Sequence, residues 1–353
     1  MGKEIINEEK IMKKVLVTGS EGFIGGYIVK ELIKQGYYVI GIDNLSKYGK
    51  IIRNHSDSDF YEFHQGDVKN INLLKPLMAE CDYLIAGAAM IGGISYFHEF
   101  EYDLLTENEK IMSATVDTAI ELHKDVNRLK RVVYLSSSMV FESTDVYPTK
   151  ESDIKIIPPP VSSYGFQKLA VEYYAKSAYS QYGLEYSIAR PFNCVGIGEV
   201  KTSSNKTLSE SSQKLALSHV VPDLILKTIN YENELEILGE GNQVRHYTYG
   251  EDLARGIVTL LEHKNAKNDD FNLSTSVSTT VLELANLIFS KIRPNENPNF
   301  KFIDPYTYDV QKRIPSTSKA KELLGFEANT GLSEMLDIVI PWVTDAHKNN
   351  LYL

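Results

Sequence analysis

Only two cysteines, Cys81 and Cys194, and a single tryptophan occur in 353 residues. Two thiols cannot build a disulfide framework, and no Cys/His cluster has zinc spacing, so both are read as packed thiols. Basic blocks are missing too. A formal net charge of −10 and a pI near 5.4 argue against nucleic acid or an anionic membrane as main partner. A small phosphorylated ligand is still compatible, because a few placed arginines suffice. Long apolar runs are also absent: the most apolar window, YLIAGAAMIGGI at 83–94, is too short to span a bilayer. The opening MGKEIINEEKIM lacks the apolar stretch of a signal peptide, and Ile6 stands where a myristoylation signal has Ser or Thr. The expectation is a soluble, cytoplasmic protein without a membrane partner.

What is present is alternation. KKVLVTG (13–19) is a β-branched run closed by glycine, FIGGYIVKELIKQG (23–36) has helical spacing and a glycine stop, and YYVIGID (37–43) is a second strand. Strands follow at 60–67, 82–89, 131–138 and 184–193, with helices near 71–80, 105–124 and 163–183. Strands separated by helices predict an α/β fold with a doubly wound, Rossmann-type parallel sheet. Regularity falls after that. KTSSNKTLSESSQK (201–214) reads as a polar loop, and helices are predicted at about 222–232, 251–263 and 281–292. The division predicted is a dinucleotide-binding domain at 1–185 and a smaller C-terminal substrate-binding lobe at 186–353, some segments of which return to the first.

TGSEGFIGG places Gly19, Gly22 and Gly25 as G-x-x-G-x-x-G between a strand and a helix. Glycines let the backbone approach a pyrophosphate, and the helix start offers unpaired N–H donors. Asp43 lies 21 residues after Gly22 at the end of the second strand. A carboxylate there accepts from both adenosine ribose hydroxyls and repels a 2′-phosphate, which favours NAD over NADP. Asp67, in QGDV, is either a contact for the adenine edge or a helix N-cap.

SSYGFQKLA holds Tyr164 and Lys168 four apart at a helix start, on one face. A phenol of pKa about 10 is a poor base, and an ammonium beside it would lower that value and could bind the nicotinamide ribose. This pair follows the triple serine of YLSSSMVF (134–141) by one βα unit, in a chain that opens with a dinucleotide turn. With AGAA (86–89), RPFNCVG (190–196), GEGNQVRHYTYGEDLARG (239–256) and KRIPSTSKAKELLGF (312–326), the sequence resembles the extended short-chain dehydrogenase/reductase family. Within it, the nucleotide-sugar epimerase/dehydratase branch is the part resembled. The resemblance implies Tyr164 as acid/base, Lys168 as its electrostatic partner and Ser137 as the serine that holds the reacting hydroxyl. It also implies that Phe23, Ile24, Asn44, Val68 and Ala88 join the glycines, Asp43, Asp67, Tyr164 and Lys168 around NAD.

Met139 stands where dehydratases of this branch carry a carboxylate, and a thioether cannot move protons, so a 4,6-dehydratase is not expected. A C4 epimerase needs only Ser, Tyr, Lys and tightly held NAD, and is the expected activity. AAMIGGI (88–94) and SHVVPDLILK (218–227) are similar to segments of GDP-mannose 3,5-epimerase and GDP-fucose synthase, where the residue matching His219 is a proton donor. This keeps open an alternative, inversion at C5 of a 4-keto (6-deoxy) sugar with His219 as acid; a packed loop histidine would read the same. An NADPH-consuming reductase is disfavoured by Asp43, and a non-catalytic module by the intact Ser137, Tyr164 and Lys168. The implied substrate is a nucleotide-diphosphate hexose or N-acetylhexosamine, UDP by default, touched by Ser138, Met90, Gly92 and Asn193. Arg245 and Arg313 resemble the arginines that clamp its diphosphate. Relatives pair through helices matching 105–124 and 164–182, so a homodimer is expected.

Overall fold

KVLVT and RVVYL are apolar along their whole length rather than alternating, the pattern of strands covered on both faces. The computed structural model describes residues 12–49, 53, 55–92, 99–125, 128–199, 219–305 and 309–348. The strands are β1 Lys14–Thr18, β2 Tyr38–Asp43, β3 Tyr61–Gln65, β4 Tyr83–Ala86, β5 Arg131–Leu135, β6 Tyr186–Pro191, β7 Leu235–Leu238, β8 Asp269–Leu273 and β9 Phe300–Ile303, besides shorter two-residue pairings. Seven of them form one sheet in the order β8-β6-β5-β4-β1-β2-β3, every pair parallel. Strand order reverses at β1, so the carboxyl ends of β1 and β4 flank a crevice.

The helices are α1 Phe23–Lys34, α2 Ile71–Ala79, α3 Glu101–Asp125, α4 Ser163–Tyr182, α5 Val220–Ile229, α6 Gly250–Glu262, α7 Val281–Ile292, α8 Ser318–Leu324 and α9 Leu332–Lys348. One core joins the sheet to α1, α6 and α8, and a second joins its other face to α2, α3 and α4. A third is built from α5, α7, α9 and β7. Several segments past residue 186 return to the central sheet. Strands β6 and β8 lie in the central sheet, and α6 packs on α1, so the chain passes repeatedly between the sheet and the third core. The polar loop expected at 201–214 lies outside the described residues. Among the described residues no helix is long and apolar enough to cross a membrane.

A buried ion network fixes α4 against the sheet. Arg190 of β6 and Glu172 of α4 are both fully buried and meet through two bonds of 2.7 and 2.6 Å. Asp270 of β8 is the second anion on Arg190, and the Ser136 hydroxyl, just past β5, donates to Glu172 at 2.8 Å. Removing Arg190 would leave the buried Glu172 carboxylate without its guanidinium partner. The helix that carries Tyr164 and Lys168 is thus pinned to three strands.

Candidate active site

The glycine turn closes tightly under β1. Gly19 takes φ +74°, and a side chain there would meet the Ala88 backbone at 2.9 Å. At Gly25 a Cβ would come 2.0 Å from the Gly19 carbonyl. Gly22 is the N-cap of α1 and has no side chain to cap it, so the first N–H groups of Phe23, Ile24 and Gly25 are left for a ligand. All five residues line one cavity of about 790 Å³ at the carboxyl ends of the strands. Thr18 joins the two sides of the crevice, its hydroxyl accepting from the N–H of Gly87 and Ala88 at 3.1 Å each. Gly25→Ala is expected to weaken NAD binding by roughly tenfold to a hundredfold, the cost of forcing one methyl into a filled space. Quantifying NAD(H) released from denatured, purified variant checks this.

Asp43 ends β2 at the rim of that cavity. Its carboxylate accepts from the N–H of Leu45 at 2.8 Å and of Glu21 at 3.1 Å. Leu45 reaches it from a left-handed conformation, φ 59°, a strained choice for a branched residue. Burial pushes the Asp43 carboxyl up, and the backbone donors oppose that shift. Asn44, Asp67, Val68 and Ala88 line the same cavity. Asp67 is not the N-cap of the following helix; that position is Asn70, and Asp67 instead accepts from the Lys69 N–H at 2.9 Å.

The proton-transfer residues converge where β5 meets α4. Ser137 caps a short 3-10 turn, accepting from the Met139 N–H at 3.2 Å, and its hydroxyl hydrogen-bonds the Tyr164 phenol. The start of α4 is held in place by Glu142, which accepts from the Ser162 N–H at 2.5 Å and its hydroxyl at 2.7 Å, while Ser162 caps Gly165. Tyr164 is buried, which raises its phenol above the ordinary value, against the Ser137 bond and the charge of Arg313. The Lys168 ammonium donates to the Leu135 carbonyl at 3.0 Å and sits 5.9 Å from the Tyr164 ring centre, while the Ser137 bond and the Arg313 charge oppose the effect of burial on the phenol. Burial itself pushes Lys168 down to about 8.

Beyond Tyr164 lie Ser138, Met90, Asn193 and Arg313, all on the cavity. Asn193 is at φ 30°, a conformation asparagine tolerates better than most residues, and donates to the His246 carbonyl at 3.5 Å. Burial, then the neighbouring Arg245, push Arg313 down to about 9, and its Nε has no partner. Two of the expected substrate contacts are not on the cavity. Gly92 is buried away from it, and Arg245 is held at 3.3 Å by Asp309, with its other donor on the carbonyls of Val244 and Gln311. Arg245 is buried behind Arg313, where its field adds to the demand for an anion.

His219 also lines the cavity, half-exposed, and its Nδ1 is paired with the buried carboxylate of Glu199. Burial alone would raise Glu199, but His219 and then Lys47 outweigh it and hold the carboxyl below its ordinary range. Lys47, on the loop after β2, is pushed down to about 8 by burial despite that anion. No sequence motif marks Glu199 or Lys47, nor Asn108, which is buried on α3 and grips Met90 by both backbone groups, at 2.6 and 2.9 Å. An amide inside an apolar helix face was the available signal for Asn108. Among the described residues no cluster of three His, Cys, Asp or Glu is placed to hold a metal.

A glycine turn against a helix start, a carboxylate at the end of the second strand and a Ser-Tyr-Lys group in one cavity mark a dinucleotide-dependent α/β protein. The chain belongs to the NAD-dependent epimerase/dehydratase family, whose model matches residues 15–274. It is 27% identical over 350 residues to UDP-glucuronic acid decarboxylase 1 of Danio rerio, covering 98% of this chain and 77% of that one. It is 27% identical over 342 residues to UDP-glucuronate 4-epimerase of Thermodesulfobacterium geofontis, covering 93% and 95%. The crystal structure of a UDP-glucose 4-epimerase from Thermotoga maritima with UDP-glucose superposes with a TM-score of 0.78 at 27% identity, over 95% of this chain and 99% of that one.

Proposed function

We propose that the protein inverts a nucleotide-diphosphate sugar at C4 by transient oxidation of that carbon. The observation that carries this reading is the convergence of Ser137, Tyr164 and Lys168 in the cavity that also holds the glycine turn and Asp43. Asp43 would hold the adenosine ribose hydroxyls, with Asn44, Asp67 and Val68 around the adenosine and Ala88 against the β4 side. NAD, when bound, would supply the hydride-accepting and hydride-donating chemistry at C4. The protein's share is proton transfer and placement. Tyr164 takes the proton of the C4 hydroxyl and gives it back, Ser137 holds the same oxygen, and Lys168 reaches the nicotinamide ribose. Arg313, with an unsatisfied Nε and a second guanidinium behind it, would bind the diphosphate. Uridine is the expected base. Met139 leaves no carboxylate beside Tyr164 for eliminating water, which supports simple inversion.

The Glu199–His219 pair favours a second reading. A carboxylate on Nδ1 fixes the ring and leaves Nε2 free to protonate a carbon next to a transient 4-ketone, inverting C5. Turnover in D2O followed by NMR separates the two. Direct C4 inversion places no deuterium on carbon; C5 inversion places it at C5 and is abolished by His219→Asn. Deuterium-free product from the wild type removes the second reading, and the absence of any C4 epimer removes the first. A homodimer remains the proposed assembly, supported by Tyr102, Phe166 and Tyr173, which leave apolar surface exposed on α3 and α4.

A further inference from the structure

Lys47 lines the cavity, and its ammonium forms no hydrogen bond or ion pair with any described residue. It stands over the Tyr48 ring, 4.8 Å from the centroid, and the carboxylate of Glu199 acts on it from a distance. The loop that carries it is tied to the glycine turn. Asp43 accepts from the N–H of Glu21 as well as that of Leu45, the Gly49 N–H donates to the Leu45 carbonyl at 3.0 Å, and Tyr48 is buried in the core of Phe23 and Tyr27. Glu199 hangs from the same helix, because the Ile197 N–H donates to the Tyr27 hydroxyl at 2.7 Å. Lys47 is thus held beside the start of α1, whose first turn has no acidic residue.

The other cations on the cavity belong elsewhere. Lys168 donates to the Leu135 carbonyl, Lys110 lies one turn from Glu107, which pairs with Lys69 past β3, and the charge of Arg313 acts on Tyr164. The remaining charged groups near the turn are spent: Asp43 on backbone N–H groups, Glu21 on the Tyr61 hydroxyl at 2.6 Å and on Arg53, and His219 on Glu199. An enclosed ammonium without a partner costs free energy unless an anion meets it. The pyrophosphate of NAD is that anion, and the free N–H groups at the start of α1 are its place.

We infer that Lys47 is a ligand of the NAD pyrophosphate at the start of α1, and that its hold on the cofactor is lost when the ammonium gives up its proton. Because burial holds Lys47 at about 8, the NAD-free protein sheds this proton just above neutral pH, and the bound anion restores it. Above that value each NAD that binds brings in a proton, so affinity falls as pH rises; below it, affinity is level. This contact is independent of which carbon of the sugar reacts.

The test is equilibrium dialysis of labelled NAD against the full chain, from about pH 6.5 to about pH 9.5. Lys168 is also held at about 8 and is proposed to reach the nicotinamide ribose, so the parent carries Lys168→Met and the titration read is that of Lys47. In this parent, log Kd is expected to be level below about pH 7.5 and to climb above about pH 8 with a slope approaching one. Adding Lys47→Met should weaken NAD about tenfold to a hundredfold at pH 7, the worth of one charge-assisted bond, and abolish the climb. Lys47→Arg, whose charge does not titrate, should stay within about threefold of the parent at pH 7 and remain level to the alkaline end. UDP binding at saturating NAD should be the same in all three. A Lys47→Met chain that binds NAD within about threefold of its parent, or a climb that persists in Lys47→Arg, overturns the inference. A loss confined to UDP overturns it as well, by assigning the cation to the substrate. Should Lys47→Met fail to fold, the pH profile of Lys47→Arg decides alone.

Discussion

Tyr164→Phe is expected to lower turnover by about a thousandfold while the variant still binds NAD and the nucleotide sugar. The loss follows from chemistry. Without the phenol, the C4 hydroxyl has no group placed to take its proton as hydride departs, and Ser137 alone is far too weak a base. Binding should persist because the phenyl ring keeps the packing against Met139 and Leu104, and because the proposed diphosphate and adenosine-ribose ligands, Arg313 and Asp43, are other residues. Burial raises the phenol, so the reactive phenolate is a minor form at neutral pH and the wild-type kcat/KM should climb with pH on the acid side. That limb should be missing from the residual activity of the Phe variant. NMR turnover assays and thermal shift with each ligand measure both halves. Turnover within tenfold of the wild type would show that Tyr164 is not the acid/base, and an unaltered cellular role despite lost turnover would favour a binding module.

The glycine turn, its flanking strand and helix, and Asp43 were legible because they are local: each is set within a few dozen residues by pattern and steric need. The order of the sheet followed from alternation and handedness. Other features were hidden because long-range partners decide them. Spacing puts Tyr164 and Lys168 on one face, but the Leu135 carbonyl, on a different element, decides where the ammonium points. Arg245 and Arg313 looked alike as a clamp, yet Asp309 occupies one and leaves the other facing the cavity. Glu172, Arg190 and Asp270 are separated by up to 98 residues, and nothing in their neighbours announces an ion network. The same holds for Glu199 with His219: the short similarity at SHVVPDLILK pointed to the histidine, while its carboxylate partner had no motif at all.

Lys168 carries the second large effect, one in which function and stability pull apart. Its ammonium is enclosed where β5 meets α4, and burial pushes it down to about 8 from the ordinary 10.5. Between those two values the unfolded chain holds more protons than the folded one, so stability rises with pH through that window. Below it the folded protein bears the full cost of the buried charge, about 3 kcal/mol, against about 1 kcal/mol gained from the bond to Leu135. Lys168→Met, similar in length and uncharged, should therefore abolish turnover yet stabilise the NAD-free protein at pH 7 by roughly 2 kcal/mol, a few degrees in Tm. The gain should shrink as pH rises from 8 and be gone by about pH 10, with the folded lysine already neutral and the unfolded one still charged up to the ordinary 10.5. Paired melting curves across that range decide it. A variant less stable than wild type at pH 7, or a difference that does not change with pH, would mean that the ammonium is better compensated than the Leu135 carbonyl alone allows. A stabilised but inactive variant would show that Lys168 is held in place for chemistry at the fold's expense.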